Sequence, residues 1–528
     1  MQRREFLAAS AALSAPILSA PTVAQPARVV RFIPQADLST LDPHWNTAYV
    51  TRNHGFLVFD TLYGMDGQFR ASPQMVEGHV TEDDGRRWTL TLRDGLRWHD
   101  NTPVLARDCV ASIKRWGTKD VFGQALLAAT DELSAPDDRR MVFRLKRPFP
   151  LLPDALAKSG VYMPAMMPER LARTDPNTQV TEMMGSGPFR FRADERVAGA
   201  RAVYERFAGY VPRPSGTADR TAGPKHVHVD RVEWTTVPDP ATAAAALQRG
   251  ETDWWDYASA DLLPLLRRNA GIKVEVQDPA GQLAVMRMNH LQPPFNNPAI
   301  RRAVLGAIVQ SDYLTSFMGE DRALWRDGAG TFTPGTPLAN DAGMEALTGP
   351  RDVESVKRAL KAAGYNNERV ALIVPTDFPN LKAMADVAAD MLRRIGMNVD
   401  YIATDWGTLL TRRAKKDPVE QGGWSLFVTF SAGVDNATPA GNQLLRTNGD
   451  RAWFGWPSDE RIETLRDEWF ATPDLAGQKR IATALQQRAF EVVPFIPLGQ
   501  YFQATAYRNT LRDVLSGFSI FWNLRKEG

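Results

Sequence analysis

Between Trp88 and Trp116 the spacing of apolar residues changes period. Trp88, Leu90 and Leu92 alternate with Thr89, Thr91 and Arg93, the period-2 pattern of a strand with one buried face. Asp94-Gly95 tolerates positive φ and Leu96-Arg97-Trp98 resumes the alternation, so the pattern predicts a hairpin. Beyond Thr102-Pro103 the spacing lengthens, and Ala106, Val110, Ile113 and Trp116 fall along one helix face. Asp108 sits in the first turn, where the helix dipole favours an anion, whereas Leu105 offers no side-chain cap. His99-Asp100 has no third group beside it and reads as turn structure rather than a catalytic pair.

The same two periods mark the rest of the chain. Val29 to Pro34 alternates as a first strand, and Ala241 to Gly250 forms a helix closed by Asp253. Ala208 to Pro224, rich in Pro and Gly, is a surface loop. In HVHVDRVEW, His226 and His228 share one strand face, but two imidazoles without a third ligand read as surface histidines. Asn297 is placed to cap a helix whose first residue is Pro298, with Ile300, Val304 and Ile308 as its buried stripe. A strand from Val370 precedes a helix carrying Leu381, Met384, Ala388, Met391 and Ile395, then Gly396 and a second strand to Ile402. Such a unit requires parallel strands joined by a right-handed crossover. Trp406 to Ala414 continues as an amphipathic helix, Gly423 to Phe430 as a strand, Asp459 to Ala471 and Leu475 to Val492 as helices, and Phe518 to Trp522 as a last strand.

Composition narrows the class. With 528 residues, 44% hydrophobic and 23% charged, the chain is long enough for two large lobes. Lys+Arg 63 against Asp+Glu 61 leaves +2, which argues against nucleic acid or an anionic membrane as the main partner. One cysteine, Cys109, excludes an intramolecular disulfide and a multi-cysteine metal site, and its place beside Val110 reads as core packing. Residues 1–24 have the basic, apolar and small-residue regions of a secretory signal, and Arg3-Arg4 with Phe6-Leu7 resembles a twin-arginine signal. Cleavage is expected after Ala24. No cysteine follows the apolar region, so a periplasmic product without a lipid anchor is expected. Gly185-Ser-Gly-Pro-Phe189 lacks the residues that complete a phosphate loop or a hydrolase elbow, and reads as a structural turn.

The run WTLTLRDGLRWHDNTPVLARDCV resembles the signature of bacterial extracellular solute-binding proteins of the dipeptide/oligopeptide/nickel type, family 5. It departs at Asn101, Leu105 and Arg107. Leu41-Asp42-Pro43, Pro148-Phe-Pro-Leu-Leu152, Gly185 to Phe189, Asn289 to Ala303 and Pro494 to Leu498 extend the resemblance from about Val29 to Asn523. It implies an α/β, two-lobed periplasmic-binding-protein fold (type II, large three-subdomain cluster) with a discontinuous first lobe. That lobe comprises 25–280 plus 498–528, with a sub-domain at about 64–184, and the second lobe is 281–497.

The implied function is the periplasmic substrate-binding component of an ABC importer. It would capture a peptide or a peptide-like, amine-bearing solute between the lobes and deliver it to an ABC permease in the inner membrane. No catalysis, cofactor or metal is implied, and a monomer is expected. In the family the L-D-P motif opens a ligand-facing loop, which here leads to Tyr49 and Arg52. Trp424 matches a tryptophan that lines a side-chain pocket in relatives. The nearby aspartate, which accepts a peptide's ammonium group, has its counterpart at Asp435, later than usual, unless Asp435 only caps a turn. Trp406 and Phe430 would add apolar walls, with Arg52 and Asp435 orienting a zwitterion in a gap bordered by residues 405–435. The rival readings are an exported hydrolase acting on peptides or glycosides, and a chaperone or sensor built on the same fold.

Overall fold

The computed structural model describes residues 28–527; the expected signal segment 1–24 lies outside them. Two large mixed sheets and one four-stranded antiparallel sheet carry the architecture. At the centre of the seven-stranded sheet, Val29–Ile33 runs parallel to both Arg231–Thr235 and Trp254–Trp255. On its far sides lie the antiparallel strands Ala504–Arg508 with Ile272–Val276, and Arg201–Arg206 with Phe189–Phe191. Its face is aromatic: Phe521 meets Phe32 edge-on at 5.0 Å and Trp254 at 5.3 Å. Phe518 to Trp522 is therefore buried packing with no ladder of its own, and the expected last strand is not formed.

The six-stranded sheet is ordered Trp325–Arg326, Ile496–Tyr501, Gln282–Met288, Leu426–Ala432, Arg369–Pro375, Asn398–Thr404. Arg369–Pro375 and Asn398–Thr404 are parallel and are joined through the helix Pro379–Arg394, as the spacing predicts. That helix buries Leu381, Met384, Ala388 and Met391. All seven residues of Gln282–Met288 are buried, among them Arg287. Its guanidinium donates to four carbonyls: Phe454 at 2.6 Å, Leu444 and Pro494 at 2.9 Å, and Trp453 at 3.0 Å. Burial pushes this arginine down to about 9, and the carbonyl dipoles replace the lost water.

The chain passes between the large sheets at 276–282 and again at 501–504. The second passage falls later than the expected 498, because Ile496–Tyr501 pairs with Gln282–Met288 in the six-stranded sheet.

In the smaller sheet the expected hairpin is replaced by a different pairing. Arg87–Leu92 lies between Val76–Glu82 and Arg140–Leu145, so neither edge is free for Leu96 to Trp98. Gly95 still makes the sharp turn (φ +79°), but the returning segment forms only an isolated bridge between Arg97 and Pro103. The helix Ala106–Trp116 follows as expected. Leu105 has no acceptor to offer, and Asp108 compensates by accepting from the Leu105 N–H at 2.9 Å.

This sheet shares one apolar core with Glu460–Ala471 and Leu475–Val492, whose Phe470 lies 5.8 Å from both Phe122 and Phe149. The sub-domain expected within the first lobe is thus packed directly on helices expected in the second. His226 and His228 precede the strand Arg231–Thr235 instead of lying on it, and His226 N–H donates to Asn523 Oδ1 at 2.9 Å.

Candidate functional site

The loop expected to carry Tyr49 and Arg52 is a helix, Tyr49–Val58, and every residue of it is buried. The preceding Asp42 does not face a ligand: it pairs with Arg115 at 2.8 Å and accepts from Val180 N–H at 2.9 Å, both fully inside. Tyr49, the first helical residue, reaches the far strand. Its ring stacks on Phe430 at 5.9 Å, its hydroxyl donates to Asp435 Oδ2 at 3.1 Å, and it accepts from Ala432 N–H. Asp435 packs on Gly160, where a Cβ would collide with its Oδ1, and that oxygen has no hydrogen-bond partner. Burial raises both the Tyr49 phenol and the Asp435 carboxyl; Lys158 and Arg52 partly oppose it at Asp435, and Lys158 is itself paired with Asp120. The result is a closed seam between residues 49 and 432–435. Asp435 borders neither cavity described below.

Beside the seam lies a cavity of about 450 Å³, within the range of small-ligand sites. Tyr49, Trp406 and Phe430 border it, as the sequence suggests. One wall comes from the seven-stranded side (Trp255, Tyr257) and the other from the six-stranded side (Thr429 to Ser431). Arg52 does not reach this space. It donates through Nε and Nη2 to Asn53 Oδ1, lies over the rings of Tyr49 and Phe518, and borders a separate cavity of about 40 Å³ with Asp256. Burial pushes the Asp256 carboxyl up to about 6, against the pull of Ser519 and Arg52.

Trp424 is the clearest displacement from expectation. It is fully buried against Phe427 at 5.0 Å and Trp456 at 6.0 Å and does not line the cavity. Its Nε1 is spent on the Lys415 carbonyl at 3.2 Å. The tryptophans that border the space are Trp255, Trp406 and Trp453.

Sequence reasoning missed Arg413. Trp406, Leu410 and Arg413, at i, i+4 and i+7, all border the cavity, the first two from the helix Trp406–Arg412 and the third from the residue that follows it. Arg413 is 7% exposed, and its guanidinium lies 4.7 Å from the Phe454 ring centre, 5.2 Å from Trp453 and 5.9 Å from Trp406. Its one hydrogen bond runs from Nη2 to Thr47 Oγ1 at 3.4 Å, and Nε has no partner. Burial pushes it down to about 10. A charged residue at helical spacing on an otherwise apolar face is the signal that could have found it.

Known proteins share this fold. Residues 70–452 match the family described as "Bacterial extracellular solute-binding proteins, family 5 Middle". The chain is 38% identical over 524 residues to a "Probable peptide ABC transporter periplasmic-binding protein y4tO" of Sinorhizobium fredii, covering 98% of each chain. Two solved structures superpose well. The periplasmic binding protein DppA of Helicobacter pylori, in complex with the peptide STSA, gives a TM-score of 0.79 at 19% identity over 95% of this chain and 98% of its own. AgaA of A. tumefaciens R10, in complex with agropinic acid, gives 0.78 at 22% identity over 95% and 99%.

Proposed function

The chain belongs to the family 5 bacterial extracellular solute-binding proteins, and from that premise we propose that it captures a small solute between its two large sheets and passes it unchanged to an ABC permease. The observation that carries this reading is the cavity of about 450 Å³ walled from both sheets, with two chain passages between them. A solute touching both walls favours the closed form by its differential affinity for that form, and no bond need be made or broken. The 38% identical relative points to a peptide-like solute. The rival hydrolase draws no support from the relatives.

Periplasmic residence follows the family. Export by the twin-arginine route, release without a lipid anchor and action as a monomer complete the proposal. Among the described residues no helix is long and apolar enough to cross a membrane.

Native mass spectrometry of protein purified without denaturation, followed by thermal-shift titration, tests the reading. Saturable stabilisation is expected, about 2.7 kcal/mol at a hundred times the dissociation constant, with the ligand recovered intact. Conversion of the ligand to product would refute it.

A further inference from the structure

The charges around the cavity are unevenly placed. Asp377 is exposed and already accepts from Trp406 N–H at 2.7 Å, and Asp37 is partly exposed. Arg413 is the buried charge of the lining, and among the described residues no carboxylate comes within ion-pair distance of it. Two buried arginines away from the cavity are engaged by several acceptors of the chain itself: Arg115 by Asp42 and the carbonyls of Thr174, Asp175 and Thr178, and Arg287 by four carbonyls. A largely buried guanidinium without an anion is costly, and a planar fork between aromatic rings is shaped to receive one. Asp435, the counterpart of the family's ammonium acceptor, is held in the Tyr49 seam and faces no cavity.

Building on solute capture as the function, we propose that Arg413 reads an anionic group, so that the captured solute joins a carboxylate to an apolar, flat-faced body and needs no free ammonium group. Trp406 and Phe430 would pack the apolar part, while Arg413 meets the anion from the helix end.

The test uses the chain without residues 1–24. The probes are hydrophobic dipeptides as free, N-acetylated, C-terminally amidated and doubly blocked forms, with aromatic and aliphatic monocarboxylic acids and their amides, titrated by calorimetry and thermal shift. Free and N-acetylated acids are expected to bind alike, and amidation to weaken binding roughly thirtyfold or more. R413Q should erase the preference for acid over amide, and R413K, which keeps the charge but loses the fork, should restore part of it. Amides binding as well as acids, an acid preference that survives R413Q, no acid-selective binding by the wild type, or loss of binding on N-acetylation would each overturn the proposal. Cleaved peptide in the same samples would overturn solute capture instead, while the ratio of acid to amide affinity would still report on Arg413.

Discussion

Two guanidinium groups lie against the ring of Trp453, Arg287 at 5.4 Å and Arg413 at 5.2 Å from its centre, and they live in opposite circumstances. Arg287 sits in a central strand and is bound by four carbonyls. Arg413, at a helix end facing the cavity, has one long bond to Thr47. The first charge organises backbone: it ties the segments at 444, 453–454 and 494 to the sheet. The second makes one hydrogen bond and lies against three rings, and among the described residues no carbonyl or carboxylate engages its guanidinium. Of these two, the fully partnered charge serves the fold and the sparsely partnered one borders the cavity.

The acids repeat the contrast. Asp42 is neutralised by Arg115, whereas Asp256 and Asp435 are buried with hydroxyl partners and only distant cations.

Breaking the saturated member should cost most. Arg287→Met strands four carbonyls and should lower stability by about 3–5 kcal/mol in chemical denaturation, or prevent folding. The Asp256 carboxyl comes next. Its folded value of about 6 lies above the usual 3.8, so its contribution is full below pH 4 and is lost as pH rises through 6. Asp256→Asn should remove on the order of 2–3 kcal/mol of that decline, read as a flatter stability profile between pH 4 and 6 relative to wild type. Tyr49→Phe deletes the hydroxyl shared by Asp435 and the Ala432 N–H, at a cost of about 1–2 kcal/mol. Small-angle scattering should then show a larger radius of gyration in the ligand-free protein. Least affected should be Arg413→Met without ligand: within about 1 kcal/mol of wild type, or more stable, because a desolvated charge is removed and little is unpaired. A loss as large as that of Arg287→Met would erase the distinction.

The periodic parts of the fold were legible from sequence because local pattern and tertiary role agree there. The parallel unit spanning Arg369–Pro375 to Asn398–Thr404, the capped helix after Asn297 and the helix Ala106–Trp116 are of this kind. The misplaced hairpin failed for a non-local reason: one strand that borders Arg87–Leu92 is Arg140–Leu145, whose Arg144 pairs with Arg87 from well beyond the turn at Gly95. Tyr49, Trp406 and Phe430 border the cavity, in keeping with aromatics beside the segments between the sheets. Trp424 was misassigned because a matching motif position says nothing of which way a ring points, and here it points into a cluster with Phe427 and Trp456. In sequence, Arg412-Arg413 at a helix C-terminus is indistinguishable from routine dipole compensation. Arg412 does serve there, donating to the Gly423 carbonyl at 2.8 Å, and its neighbour does not.

The hollow beside the seam also sets a thermal signature. At about 450 Å³ it has room for on the order of ten or more water molecules. Any guest that seats itself against the indole of Trp406 and the ring of Phe430 must expel them, so the heat released on capture should grow as the sample is warmed.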